Sequence, residues 1–315
     1  MASTHNIPRV FYDYRALIEC GDLDAVVVVT PDDLHYPITM QALEAGLHVL
    51  CEKPLAMNAP QAREMLNAAQ DRNLVHMVMF EWSALPENRQ VVKLISQGYL
   101  GKIYNVSIRW LAGYGRDPDY LWRVDAAHGN GALGDLGSLV IDLARLFAGE
   151  IVNVSAYLAN HVPHKQPDGQ PFLPSNDSAK LLLIFTSGAH GAIEVSFTDH
   201  LPEGSCEVLL TDSEGTLQSQ FLSKNEWLRG ARKDEENFQR IAPDDRFLTG
   251  CDLSAHSFNT FYGILQNQSV GARQFIDAIL ETVPAETTFL DGWKVQRVID
   301  AALQSHRTGL RVKII

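Results

Sequence analysis

Hydrophobic positions along this chain follow one pattern up to about residue 100 and another beyond it. Ala25-Val26-Val27-Val28-Val29 is a continuous, mostly β-branched run, which suits a parallel strand covered on both faces. Thr30-Pro31-Asp32-Asp33 then offers a turn with helix-capping chemistry. Residues 34–45 carry apolar side chains at helical spacing (Ile38, Met40, Leu43, Ala45), and Gly46 ends the pattern. His48-Val49-Leu50-Cys51 reads as a second strand, 59–69 as a second helix and 75–80 as a third strand. Strand and helix in alternation predict a parallel α/β sheet.

Past residue 100 the strands come in runs. Strands are predicted over 103–110, 151–158, 179–185, 192–197 and 206–210, with turns at Ser187-Gly188 and Ser213-Glu214-Gly215. A helix over 132–147 stops before Gly149, and two more are predicted over 272–281 and 292–305. Residues 229–239, mostly polar and charged, read as a mobile loop. Strand runs with glycine turns predict an antiparallel sheet. The expected architecture is therefore α/β plus α+β: a Rossmann-type parallel sheet within residues 1–100, then an open, mostly antiparallel sheet with C-terminal helices in 101–315.

Composition narrows the function. The chain has 315 residues, 46% of them hydrophobic, and a formal net charge of −12, with a pI of about 5.3. Such a field repels a phosphate backbone, so nucleic acid is not an expected partner. No apolar run approaches the roughly 20 residues of a membrane helix, and the N-terminus has no secretory pattern. Cys20, Cys51, Cys206 and Cys251 have no C-x-x-C spacing, which fits a reducing cytoplasm. His161 and His164 form a His-x-x-His pair around Pro163, but with no third ligand evident, no metal site is expected.

Three segments carry candidate chemistry. Thr30-Pro31-Asp32-Asp33-Leu34-His35 follows the first strand, and Glu52-Lys53-Pro54 follows the second. The third runs from Trp122-Arg123-Val124-Asp125 through Gly131-Ala132-Leu133-Gly134-Asp135-Leu136-Gly137-Ser138 to Asp142. A lysine at the carboxyl end of a parallel strand sits where open α/β sheets bind ligands. A partly desolvated ammonium there can polarise an oxygen at a carbon undergoing hydride transfer. Alternatively, Lys53 is a surface lysine before a rigid turn, Asp135 is an acid favoured by its helix dipole, and Arg123 is the ion-pair partner of Asp125.

These segments, in this order, resemble the glucose–fructose oxidoreductase / inositol dehydrogenase / MocA family of NAD(P)-dependent oxidoreductases, from about residue 9 onward. The resemblance implies a Rossmann domain and a second domain on an open sheet, with nicotinamide and substrate meeting between them. It implies that Lys53 activates the reacting oxygen, that Asp135 orients substrate or the reacting residue, and that Thr30, Pro31, His35 and Glu52 line the cofactor side with Lys53. Trp122, Arg123, Asp125 and His128 would border the substrate. The cofactor would be NAD or NADP, the substrate a small molecule such as a sugar or polyol, and the protein a homo-oligomer.

The chain departs from the family in two places. No strand–G-x-G-x-x-G–helix unit is found, and the chain is expected to start after the family's first strand–helix–strand segment of roughly 30 residues or more. Dinucleotide binding is accordingly expected to be weak or absent. The matching string Gly129-Asn130-Gly131-Ala132-Leu133-Gly134 has no strand before it; its glycines are expected to let the chain approach the cleft and start the helix. Second, the family's proton-carrying histidine, four residues after the aspartate, is replaced by Leu139. His128 is the nearest imidazole in sequence and Ser138 a weaker substitute. Three readings stay open: a CH–OH dehydrogenase, a non-catalytic binding or scaffold relative, and an enzyme whose start was assigned too far downstream.

Overall fold

The computed structural model describes residues 4–166, 168–200, 205–221, 227–250 and 263–314. Strands β1 (Ala25–Val28), β2 (His48–Cys51) and β3 (His76–Val78) form a three-stranded parallel sheet in the order β1-β2-β3. Val28 pairs with Cys51, and Cys51 with Val78, so the three strands end level with one another. Helix α1 (Tyr14–Ile18) precedes the sheet; α2 (Asp32–Glu44) and α3 (Ala59–Asp71) form its crossovers. Asn58 caps α3 by accepting from the Gln61 N–H at 3.0 Å. The capping expected of Thr30-Pro31 is not made by a side chain: Pro31 is the N-cap of α2, and Asp32 and Asp33 complement the dipole from its first turn.

After α4 (Pro86–Ser96) the chain builds a nine-stranded sheet. Its strands are β4 (Ile103–Leu111), β5 (Ile151–Ala159), β6 (Ser178–Phe185), β7 (His190–Ser196), β8 (Ser205–Asp212), β9 (Gly215–Phe221), β10 (Trp227–Arg232), β11 (Gln239–Arg240) and β12 (Val312–Lys313). The order is β11-β10-β9-β8-β4-β7-β6-β5-β12, antiparallel except for the β4–β7 pair. Alternate residues of β6 are buried; one face packs on helices and the other is open, as antiparallel sheets allow. The covering helices are α5 (Gly131–Asp135), α6 (Gly137–Ala148) and α8 (Phe289–Thr308), with α7 (Gly271–Ile279) against the first sheet. Helix α8 spans 20 residues and opens on a capping box between Thr288 and Asp291. It touches both α3 and β5, so it ties the two sheets together.

Three expectations change. The helix over 132–147 is two helices, divided at Leu136. The polar stretch 229–239 is partly strand: Arg229 lies over the Trp227 ring at 4.4 Å and donates to Gln218 Oε1 at 2.8 Å. Polar cross-strand pairs of this kind hide the hydrophobic alternation that marks a strand. The apolar run at 25–29 is not covered on both faces among the described residues, because β1 is an edge strand with Val27 and Val29 54% and 69% exposed. Cys20, Cys51 and Cys206 are free thiols; Cys251 lies outside the described residues.

Candidate active site

Because the parallel strands end level, the residues just beyond them share one edge. Asp32 follows β1, Glu52 and Lys53 follow β2, and Glu81 follows β3 in a 3-10 turn, Glu81–Ala84. Lys53 crosses the gap to the second sheet's helices. Its ammonium donates to Asp135 Oδ1 at 2.7 Å and to the Asp135 carbonyl at 3.0 Å. An ammonium has three donors, so one N–H remains for a reacting oxygen.

Asp135, at the end of α5, is the hub. Its second carboxylate oxygen accepts from the Tyr114 hydroxyl and lies 3.0 Å from Arg123 Nε. Burial works against its charge, but Lys53 and Arg123 outweigh burial and hold its pKa down at about 2. Burial likewise opposes the Lys53 ammonium, and Asp135, Glu81 and Glu52 overcome it, so the Lys53 pKa is raised. Both partners are therefore charged at neutral pH. Around them, burial pushes the Asp32 carboxyl up to about 8 and that of Glu81 up to about 7, and Glu52 shifts upward for the same reason. Such a cluster of displaced acids beside a lysine is the electrostatic mark of a reactive cleft.

Glycine makes the close approach feasible. A Cβ on Gly131, whose φ is +65°, would come within 2.0 Å of the Asn176 carbonyl. One on Gly134 would meet Asn130 Cβ at 2.7 Å and would sit 3.8 Å from Pro54 Cγ and from Asp32 Oδ2. The string 129–134 thus seats a turn and a short helix against the carboxyl edge of the parallel sheet, as the sequence reading expected, and is not a phosphate loop after a strand.

The other candidates divide. Arg123 does not pair with Asp125; it forms an ion pair with Asp135, without a hydrogen bond, and lies 4.5 Å over the Trp122 ring. Asp125 is buried and accepts from Tyr120 and the Ala127 N–H, so it braces the turn. His128 faces Asp33, 3.0 Å from its carboxylate, rather than Asp135. His35 is buried between the Pro54 and Thr30 carbonyls at 2.8 and 2.9 Å. Burial lowers its pKa, and the neutral ring has one N–H, which joins the two cleft loops through one carbonyl at a time. Leu139 is 2% exposed and Ser138 is fully buried. Tyr114 and Glu81 were missed by the sequence reading: neither lies in a motif, and only the level strand ends and the meeting of the two sheets bring them to Lys53.

Thr30 Oγ1 and Asp33 Oδ1 are buried without a hydrogen-bond partner among the described residues. Open polar groups at this edge fit the nicotinamide end of a dinucleotide. A concavity of about 820 Å³ lies elsewhere, on the open face of the nine-stranded sheet, lined by Arg109, Tyr157, Leu182 and Glu207 among others. It contains none of the displaced acids that surround Lys53. No group of His, Cys, Asp and Glu suited to a metal ion occurs among the described residues, and no described helix is long and apolar enough to cross a membrane.

Comparison with known proteins agrees with this geometry. Residues 1–80 match the model of an oxidoreductase family with an NAD-binding Rossmann fold, and residues 88–217 match the GFO/IDH/MocA C-terminal domain. The levoglucosan dehydrogenase of Pseudarthrobacter phenanthrenivorans is 28% identical over 93% of this chain and 80% of its own length. The D-glucoside 3-dehydrogenase of Escherichia coli K12 is 30% identical over 100% of this chain and 86% of its own. A levoglucosan dehydrogenase solved in complex with NADH and levoglucosan superposes with a TM-score of 0.89 at 27% identity, covering 99% of this chain and 86% of that one. With its sheet order, its lysine at a strand end and these relatives, the chain belongs to the Gfo/Idh/MocA family of NAD-binding oxidoreductases.

Proposed function

We propose that this protein is an NAD(H)-dependent dehydrogenase that interconverts a hydroxyl and a carbonyl on a sugar or related polyol, with Lys53 holding the reacting oxygen. The observation that carries the reading is the buried Lys53–Asp135 pair, which leaves one ammonium N–H free at the carboxyl edge of the parallel sheet. The named activities of the levoglucosan and D-glucoside relatives support the substrate class.

Bound there, NAD supplies the hydride acceptor for the oxidation. Lys53 donates to the substrate oxygen and stabilises charge that develops on it. Asp135 keeps Lys53 protonated and aimed, while Tyr114 and Arg123 fix the other carboxylate oxygen. Trp122 with Arg123 forms a flat cationic wall that suits a sugar ring bearing hydroxyls. Thr30, Pro31 and Glu52 line the nicotinamide side, and His35 braces it from behind. A non-catalytic relative would have no need of this pair, since burying an ion pair brings little stability by itself. A homo-oligomer joined through the open face of the nine-stranded sheet fits the exposed Tyr157 and Leu182. A cytoplasmic setting fits the free thiols of Cys20, Cys51 and Cys206.

The test is NADH formation with levoglucosan and with D-glucosides, using the wild-type protein and Lys53→Ala. Turnover by the wild type that the variant loses is expected. No turnover across the panel, or equal turnover by both proteins, would reject the proposal.

A further inference from the structure

Leu139 removes the histidine that would carry the substrate's proton, and His128 is turned toward Asp33. Asp135 is held too acidic to serve as the base, and burial and the neighbouring carboxylate keep Tyr114 protonated. The reaction still releases a proton. We propose that Glu81 receives it through Lys53 and passes it to a cavity of mixed polar and apolar lining beside β3. This inference rests on the dehydrogenase reading above.

The topology puts Glu81 in position. Met79 donates its N–H to the Cys51 carbonyl at 2.9 Å, so β3 runs beside β2 up to the point where both chains turn. Lys53 lies two residues past Cys51, and Glu81 two past Met79. The two side chains feel each other's charge: Glu81 stands ahead of Glu52 among the carboxylates that support the Lys53 ammonium, and Lys53 in turn favours the Glu81 carboxylate.

Two observations together single out Glu81, since Asp33 Oδ1 shares the first but lines no such cavity. Glu81 Oε2 is buried with no hydrogen-bond partner among the described residues, so that oxygen can take a proton without breaking a bond. Glu81 also lines a second cavity of about 530 Å³, with Ser83, Arg89, Lys93, Ser269 and Gln274. One residue thus lies level with Lys53 in the strand register and lines a space with several polar side chains that is large enough for water. Asp32 lacks such an outlet: it is 3% exposed and packed against the 129–134 turn.

The proton balance is simple. On oxidation the C–H bond breaks with its electron pair, which leaves as hydride to the nicotinamide, and a C=O bond forms. The third Lys53 N–H, the one not held by Asp135, first passes its proton through water to the Glu81 carboxylate, and the lone pair left on Nζ then takes the O–H proton. Lys53 is an ammonium before and after; Glu81 becomes neutral and returns to the carboxylate by releasing its proton into the cavity. The groups that set its ionisation are Glu52 and Lys53 beyond β2 and Asp135 on α5; the charged groups that share its cavity are Arg89, Lys93, Arg246 and Glu286. Burial raises the Glu81 pKa to about 7, near the value a proton carrier needs at neutral pH.

Glu81→Gln keeps the shape and removes the acid; Glu81→Asp keeps the acid and withdraws it by one methylene. With NAD and whichever D-glucoside or levoglucosan the wild type oxidises, its kcat/KM should rise with pH and level off above about 7. Glu81→Gln should lose about 100-fold or more at neutral pH, together with that limb; Glu81→Asp should keep a displaced limb. Independently of turnover, the infrared carboxyl signal titrating near neutral pH, to which Asp32 and Asp142 also contribute, should lose one component in Glu81→Gln, seen as a band in the wild-type-minus-variant difference. Circular dichroism checks that each variant is folded. If the wild type is active and Lys53→Ala is not, yet Glu81→Gln stays within about threefold of wild type with the same limb, the relay is wrong and the dehydrogenase reading stands. A missing infrared difference likewise overturns the relay, and a wild type that oxidises no sugar overturns both.

Discussion

At the residue scale, the site is a charge balance centred on Asp135. Lys53→Ala removes the donor to the reacting oxygen, and turnover should fall about 100-fold or more, equivalent to roughly 3 kcal/mol of transition-state stabilisation. Steady-state kinetics on the folded variant measures this. Asp135 also carries a stability term. Its folded pKa of about 2 lies below the ordinary 3.8, so its contribution is complete above about pH 4 and is lost as pH falls toward 2. The shift corresponds to about 2 kcal/mol. Denaturant melts at low pH should show that Asp135→Asn is less acid-sensitive than wild type over this window, although less stable at neutral pH because Lys53 and Arg123 lose their counter-charge. Introducing the family's histidine is a different matter. Leu139 lies in the core, so Leu139→His should cost stability before it can restore a proton carrier.

At the element scale, the short helix α5 depends on Gly131. Its positive φ and the Asn176 carbonyl leave no room for a side chain, and Asn176 holds the turn through hydrogen bonds to the Asn130 carbonyl and the Leu133 N–H. Gly131→Ala should destabilise the protein by at least about 1–3 kcal/mol and should displace Asp135, depressing activity as well. Thermal melts and kinetics on one preparation test both halves; a variant that melts like wild type would show that the turn yields more easily than its packing indicates. The three strand ends matter in the same way, because the parallel register sets Asp32, Lys53 and Glu81 side by side and a slip in it would disperse them.

At the scale of the whole molecule, buried acids give stability a definite pH dependence. Asp32, Glu81 and Asp142 have folded pKa values raised by burial to about 8, 7 and 7, well above the ordinary carboxylate range. An acid with a raised folded pKa favours the fold when neutral, so stability should grow as pH falls from about 8 toward 5, before the loss at Asp135 begins. Differential scanning calorimetry should find a melting point at pH 6 several degrees above that at pH 8.5, at about 2–4 °C per kcal/mol for a chain of this size. The open edge of β1 is a second global property. Val27 and Val29 stand exposed at an edge that no strand among the described residues pairs, a template for strand addition. Val27→Lys should slow aggregation in light-scattering assays without loss of melting temperature.

Much of this was legible in the chain. The periods of 2 and 3.6 marked both sheets and their helices, because burial of one face imposes that spacing locally. Glu52-Lys53-Pro54 and the Gly-Asp helix pointed to the family, since a strand end and a glycine turn are short-range features. Strands β9 and β10 were not foreseen, because their polar cross-strand partners satisfy one another only once paired. Arg123 was read either as a substrate clamp or as the partner of its neighbour Asp125; it pairs instead with Asp135, which the fold delivers from another helix. Tyr114 and Glu81 belong to no motif. Their place beside Lys53 comes from the register of three parallel strands and the meeting of two sheets, and their ionisation comes from burial that exists only in the folded state. The sequence marked most of the elements and the lysine at a strand end; the tertiary structure decided which charges surround that lysine, because electrostatic coupling depends on distance in space and on exclusion of water.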